Sequence, residues 1–245
     1  MRIRLSSIRS TIKKKIRRGE TLSESQVKLE YLRGELSTFE PEVFVDLGSG
    51  EDAFAANSVS DLVKQGICVD IINSVQLEYE NLSYVKSADG FSIPLGNESV
   101  DALWASHVLE HVCNLGSFLT EIRRVLKPGG LFMVAVPPFK YEIVNHFTTG
   151  WSPGQLAYVM AGFGFDCSRH EFYQKGYNVF GSGVKKRLLS TNTTHFGYNG
   201  ISIQSALDYL PRRIKEELRR YETTSSEVLR FDGRLAHPPT RGDAR

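Results

Sequence analysis

The stretch Val43-Phe44-Val45-Asp46-Leu47-Gly48-Ser49-Gly50 decides how the rest of the chain is read. An apolar run of strand type carries a single acid and then drops into a tight glycine turn. Residues 53–65, which follow, have the pattern of a helix. Strand, glycine turn and helix in this order make the front end of a nucleotide-type binding unit. Glycine lets the backbone approach a ligand closely, and a helix N-terminus presents free N–H groups. Taken alone, the same eight residues would serve any crossover between a strand and a helix, so the choice falls to the rest of the chain.

The chain of 245 residues is long enough for one large α/β domain with a full core, or for two small ones. Its 41% hydrophobic and 24% charged residues are those of an ordinary globular protein. No apolar run approaches the roughly 18 residues that a membrane-spanning helix needs, so no integral membrane segment is expected. Cys68, Cys113 and Cys167 are isolated and odd in number. They read as buried small hydrophobes in a reducing compartment, the cytoplasm, rather than as a disulfide framework or metal site.

The net charge of +2 conceals an asymmetry, because residues 1–19 hold eight Lys and Arg and no acid. The body is therefore acidic, which argues against a nucleic-acid groove on the body itself. Ile3, Leu5, Ile8, Ile12 and Ile16 recur among these basic residues at helical spacing. Three readings stand for this basic amphipathic helix: it caps the domain with its isoleucines, it makes a peripheral membrane or polyanion contact, or it addresses the chain to an organelle.

Residues 22–36 read as a second helix with Thr21 or Ser23 at its cap. Beyond Pro41 the chain alternates between strand and helix. Strands are expected over 43–47, 67–71, 82–85, 100–105 and 131–136, and helices around 53–65, 75–80 and 115–126. Such alternation implies a parallel sheet covered on both faces. After Pro137-Pro138 a helix is expected over 153–161, capped by Ser152. Strands near 166–173 and 177–184 are expected to flank Gly176 as an antiparallel hairpin. The fold class is α/β: a Rossmann-like, doubly wound, seven-stranded sheet, mostly parallel with an antiparallel C-terminal hairpin. The expected organisation is basic and capping helices over 1–40, a ligand-binding domain over 41–190, and a helical extension with a mobile tail over 191–245.

In open α/β sheets ligands sit at the carboxyl ends of the strands. The first strand ends in Asp46-Leu47-Gly48-Ser49-Gly50, and the second in Asp70, 24 residues after Asp46. The third leads to Ala88-Asp89-Gly90. The fourth runs from Val100-Asp101 through Ser106-His107 into Val108-Leu109-Glu110-His111-Val112, and Arg124-Val125-Leu126-Lys127-Pro128-Gly129-Gly130 precedes the fifth.

With these landmarks in order, residues 42–137 resemble the class I S-adenosylmethionine-dependent methyltransferases, in their small-molecule, "methyltransferase type 11-like" branch. The resemblance implies S-adenosyl-L-methionine as the cofactor. It implies cofactor contacts from Asp46, Gly48, Ser49, Gly50, Asp70, Ile71, Asp89, Gly90, Ser106 and His107. Asp70 matches the family's ribose acid and Asp89 the acceptor for the adenine amino group, although both residue types also serve as ordinary turn acids. One departure is plain: many members have a third glycine two residues after Gly50, where this chain has Glu51-Asp52. His107 and His111 are four residues apart but lack the H-E-x-x-H order, so no metal site is expected.

Methyl transfer from a sulfonium is an in-line displacement that gains from alignment and exclusion of water. An oxygen acceptor gains further from a general base, for which His146 is the first candidate and His107 the second. Tyr141, His146, Phe147 and Trp151 are the expected acceptor-binding residues. The expected activity is O-methylation of a small molecule or glycan. The alternatives are a nucleic-acid or protein methyltransferase recruited by the basic N-terminus, and a cofactor-binding protein without turnover.

Overall fold

A computed structural model describes residues 22–140, 149–188 and 206–216. The basic helix expected over 1–19 and the tail fall outside the described residues. Helix α1 (Glu24–Phe39) opens on a capping box, in which Ser23 Oγ accepts from Gln26 N and Gln26 Oε1 accepts from Ser23 N. It ends where Glu40 turns left-handed and donates its N–H to Leu36 O.

Strands β1 (Val43–Leu47), β2 (Gln65–Asp70), β3 (Leu82–Lys86), β4 (Val100–Ser106) and β5 (Leu126–Val136) form the parallel part of one sheet. Strands β6 (Phe165–Asp166), β7 (Tyr173–Lys175) and β8 (Asn178–Lys185) complete it, with β8 antiparallel to β5. The order is β3-β2-β1-β4-β5-β8-β6, with β7 also paired to β8. The strand order reverses between β1 and β4, which places a crevice at their carboxyl ends.

Both faces of the sheet are covered, and side-chain alternation sorts residues between them. Leu103 and Ala105 of β4 face a core closed by α3 (Leu115–Val125) and α4 (Pro153–Gly162). Ala102 and Trp104 face the opposite core, closed by α1 and the short α2 (Phe54–Val59).

Four expectations need correction. The strand expected near 166–173 is two pieces, so the sheet has eight strands rather than seven. A turn breaks it after Asp166: Ser168 N donates to Asp166 Oδ1, His170 N to Cys167 O, and Cys167 N leaves the ladder for Tyr209 O. The helix expected at 75–80 is absent because its backbone bonds elsewhere: Gln76 N donates to Glu51 O, and Glu78 N to Asn57 Oδ1. The helix expected over 53–65 ends at Val59 in a 3-10 turn, Ser60–Leu62, before β2 begins. Finally, Cys113 is exposed, whereas Cys68 and Cys167 are buried.

The landmark segments are also structural ties. Asp101 accepts from Val43 N and Lys127 Nζ, which joins β4 to its neighbours β1 and β5. Arg124 donates to the carbonyls of Ile93 and Leu95, while Glu121 accepts from Ile93 N, so α3 pins the loop before β4.

Candidate active site

The glycine turn is closed by the strands beside it. Gly48 and Gly50 have φ of +72° and +68°, backbone that glycine adopts without strain. Gly48 N donates to Val69 O at 2.8 Å, and Gly50 N to Asp70 Oδ2 at 2.9 Å. Asp70 Oδ1 also accepts from Ile71 N. The acid ending β2 thus ties down the turn that ends β1, and its remaining lone pairs are available to a ligand. A Cβ on Gly48 would lie 2.4 Å from Val108 Cγ2, so the turn abuts the segment leaving β4.

Asp46 is only 2% exposed, and its Oδ2 accepts from Ala56 N near the start of α2. Burial is the main reason that its pKa rises to about 7. The Ala56 N–H opposes the rise, and the carboxylates of Asp70 and Asp52 add to it. The sequence predicts a helix N-terminus open to a ligand, but its Ala56 N–H is taken by Asp46.

Asp89 is exposed and committed to its own turn, accepting from Phe91 N, Ser92 N and Ser92 Oγ. Those bonds lower its pKa. Oδ1 is filled by the two N–H groups, but Oδ2 keeps a spare lone pair beside Ser92 Oγ, so the turn role does not bar a ligand contact.

Two hollows meet at Gly48. The first, about 550 Å³, has apolar walls from Ile71, Phe91, Ile93, Val112 and Phe118, with Asp70 and Asp89 on its rim. Gly90, His107 and His111 line it too. The second, about 280 Å³, is lined by Ser25 and Lys28 of α1, by Asp46, Ser49, Gly50 and Asp52 of the turn, and by Trp104 and Ser106 of β4.

His107 follows β4 with a φ of +56°, an uncommon conformation for a residue with a side chain. Its Nδ1 lies 3.0 Å from Oε1 of Glu110, which is fully buried, and its Nε2 lies 2.8 Å from Asn178 Oδ1. Burial works against a charge on the ring. The hydrogen bonds to Glu110 and Asn178 outweigh it, and the pKa is raised. Tyr177 stacks on the ring at 6.1 Å between centroids, and Lys140 Nζ stands 4.6 Å from the centre of the Tyr177 ring.

Every cofactor residue named from the sequence therefore gathers around the two hollows. The acceptor residues fare differently. Tyr141, His146 and Phe147 lie outside the described residues. Trp151 is buried in the core with Leu156 and Met160 and lines neither hollow. Sequence reasoning missed Ser25, Lys28 and Asn178 as neighbours of the site, because they come from α1 and β8, far away in the chain. The Glu110 contact had a signal, an acid three residues after His107, near enough in the chain for a turn to bring the two together.

The hollows fit the cofactor that the sequence suggested. A flat adenine suits the apolar walls of the first, a ribose diol suits Asp70, and a zwitterionic amino-acid end suits the polar second. Comparison with known proteins agrees. Residues 45–134 match the family described as "Methyltransferase domain". Over 97 residues the chain is 29% identical to a Mycolicibacterium smegmatis protein described as a probable S-adenosylmethionine-dependent methyltransferase. That match takes in 38% of this chain and 37% of the relative, so it spans little more than a third of the relative's length.

Two solved structures share the fold. One is a Burkholderia thailandensis 1,6-didemethyltoxoflavin-N1-methyltransferase with bound 1,6-didemethyltoxoflavin and S-adenosylhomocysteine. It is 17% identical, with a TM-score of 0.56 over 75% of this chain and 87% of that one. The other is an Aquifex aeolicus SAM-dependent methyltransferase, also 17% identical, with a TM-score of 0.51 over 74% of this chain and 97% of that one. Motif order, sheet topology and family match converge: residues 45–134 form a class I S-adenosylmethionine-dependent methyltransferase domain.

Proposed function

We propose that the protein transfers the methyl group of S-adenosylmethionine to an oxygen of a small molecule or glycan. The observation that carries this reading is the pair of hollows meeting at Gly48, with the Glu110–His107 pair beside them at the exit of β4. The cofactor supplies an electrophilic methyl group on a sulfonium. The chain's own part is alignment, exclusion of water and handling of the acceptor proton. Asp70 holds the ribose diol, Ile71 and Gly90 flank the adenine, and Asp89 accepts from its amino group. Gly48, Ser49 and Gly50 leave room for the amino-acid end, near Asp46, while Ser106 and His107 border the methyl group.

His107 takes up the proton of the acceptor hydroxyl. Nε2 receives it, giving up its contact with Asn178 Oδ1, while Glu110 keeps Nδ1 protonated and stabilises the imidazolium that results. His146 is the other candidate base, in the same stretch of sequence as the candidate acceptor residues Tyr141 and Phe147. The polypeptide divides, in this reading, into the helices of 1–40, the cofactor-binding domain of 41–190 and an extension over 191–245. Among the described residues no helix is long and apolar enough to cross a membrane. The setting that fits best is the cytoplasm, with any membrane or polyanion contact made through residues 1–19.

The test is methyl transfer from radiolabelled S-adenosylmethionine to pooled phenols, sugars, RNA and protein. Label in a hydroxylated small molecule or sugar is the expected outcome, reduced about 100-fold or more in kcat by His107→Ala or by a His146 variant. Label confined to RNA or protein would transfer the assignment to the macromolecular reading, which the eight basic residues among the first 19 favour. Binding of S-adenosylhomocysteine with no transfer to any pool would leave a cofactor-binding protein without turnover.

A further inference from the structure

The glycine turn has few amides left for an anion. Gly48 N is bound to Val69 O and Gly50 N to Asp70 Oδ2. At the start of α2, Ala56 N is bound to Asp46, and Phe54 N lies 3.4 Å from Asp52 Oδ1. A carboxylate entering this end of the crevice therefore meets its donors elsewhere, and the second hollow provides them.

Ser25 and Lys28 stand three residues apart on one face of α1 and both line that hollow. The Lys28 ammonium lies 3.9 Å from Glu24 Oε1, beyond hydrogen-bond distance, and its side chain is largely shielded from solvent. The same hollow receives Asp52, an exposed acid at the position where many relatives have their third glycine. Asp46 lines it too, but that acid is buried and occupied by Ala56 N. The hollow thus presents one cation and one accessible anion to whatever continues past Gly48 from the first hollow.

We propose that Lys28, with Ser25, receives the carboxylate of the methionine end of S-adenosylmethionine, and that Asp52 receives its ammonium. The inference rests on the cofactor reading above and deepens it. A helix outside residues 45–134 completes the cofactor site, and the residue that departs from the glycine pattern becomes a ligand contact. Both contacts are charge-assisted hydrogen bonds in a partly shielded hollow, where such bonds are strongest.

Calorimetry with two ligands tests it on the full chain. S-adenosylhomocysteine carries the zwitterionic end, and 5′-methylthioadenosine has the same adenosine and sulfur without it. Lys28→Met and Asp52→Asn are each expected to weaken S-adenosylhomocysteine by about tenfold or more, and methylthioadenosine by less than about twofold. Lys28→Arg, which keeps the charge, is expected to retain most of the discrimination. Asparagine at 52 still offers an oxygen to Phe54 N, so the helix start survives that change. Unchanged S-adenosylhomocysteine affinity in both variants, or equal loss for the two ligands, overturns the clamp while leaving the cofactor reading intact. Failure of the unaltered protein to bind either ligand overturns the cofactor reading itself.

Discussion

On the β1–β2–β3 side of the carboxyl edge, each acid is bound to backbone N–H groups close at hand. Asp46 holds Ala56 N, Asp70 holds Gly50 N and Ile71 N, and Asp89 holds Phe91 N and Ser92 N. On the β4–β5–β8 side, His107 is held by side chains: Glu110 on one nitrogen, Asn178 on the other and Tyr177 on its face. The first half is a set of short-range devices, so its spacing is visible in the sequence. The second is assembled from segments up to about 70 residues apart, and side-chain partners can change without disturbing the strands. A cofactor common to a family suits the first construction, and an acceptor that differs between members suits the second.

Gly48 is where the halves touch, and filling it is expected to have the largest effect. Gly48→Ala forces a Cβ against Val108 and puts a side chain at positive φ. Overpacking and left-handed strain together are expected to cost about 2–4 kcal/mol in denaturant unfolding. Val108→Ala in the same chain should recover part of that loss, and a Gly48→Ala protein of unchanged stability would mean that the halves do not abut.

Asp46 probes the buried end of the cofactor half. Its folded pKa of about 7 exceeds the unfolded value of 3.8, so the folded state holds the extra proton between those values. The stability this supplies is complete below about pH 4 and is lost as the pH rises through 7. Asp46→Asn keeps an oxygen for Ala56 N but cannot ionise. The variant's melting temperature should therefore gain on the unaltered protein from pH 5 to pH 8, by the equivalent of a few kcal/mol. A gap independent of pH would show that Asp46 carries no such burden.

Within that half, Asp70→Ala removes the tie on Gly50 N and, on the proposed reading, the acceptor for the ribose. Affinity for S-adenosylhomocysteine is expected to fall by about 1–3 kcal/mol, and by less for Asp89→Ala because Asp89 is exposed. Calorimetry ranks the two, and the reverse ranking would move the main polar contact to Asp89.

The smallest effect belongs to the acceptor half. The raised pKa of His107 means that its contribution is complete below its ordinary value near 6.5 and fades as the pH rises through the folded value. Glu110→Gln should thus destabilise by about 1 kcal/mol near pH 6 and by less at pH 9. Chemical denaturation at the two pH values measures it, and a deficit that grows with pH would contradict a charged imidazole on Glu110.

Legibility followed the same divide. The five parallel strands were readable as short apolar runs, the first two with an acid at or beside the carboxyl end, and Ser23 and Ser152 were readable as caps from their side-chain chemistry. The absent helix at 75–80 was not, because Asn57 and Glu51 draw that segment's backbone into tertiary bonds. Trp151 had the look of a pocket aromatic but is a core residue, since an aromatic after a loop has no sequence mark for which way it turns.

The sequence by itself determined the order of strands and helices, the glycine turn and the acids at the strand ends, and through them the methyltransferase domain. It could do so because those features rest on backbone conformation and hydrogen bonds between near neighbours. Only the tertiary structure decided that Asp46 occupies the helix start and that Glu110 and Asn178 hold His107. It alone brought Lys28 and Asp52 into one hollow. Those relations depend on which face of α1 packs on the sheet and on β8 inserting beside β5, and no local pattern encodes either. The glycine turn that first suggested a binding site keeps its amides for the fold, and the room for a ligand lies in the hollows on either side.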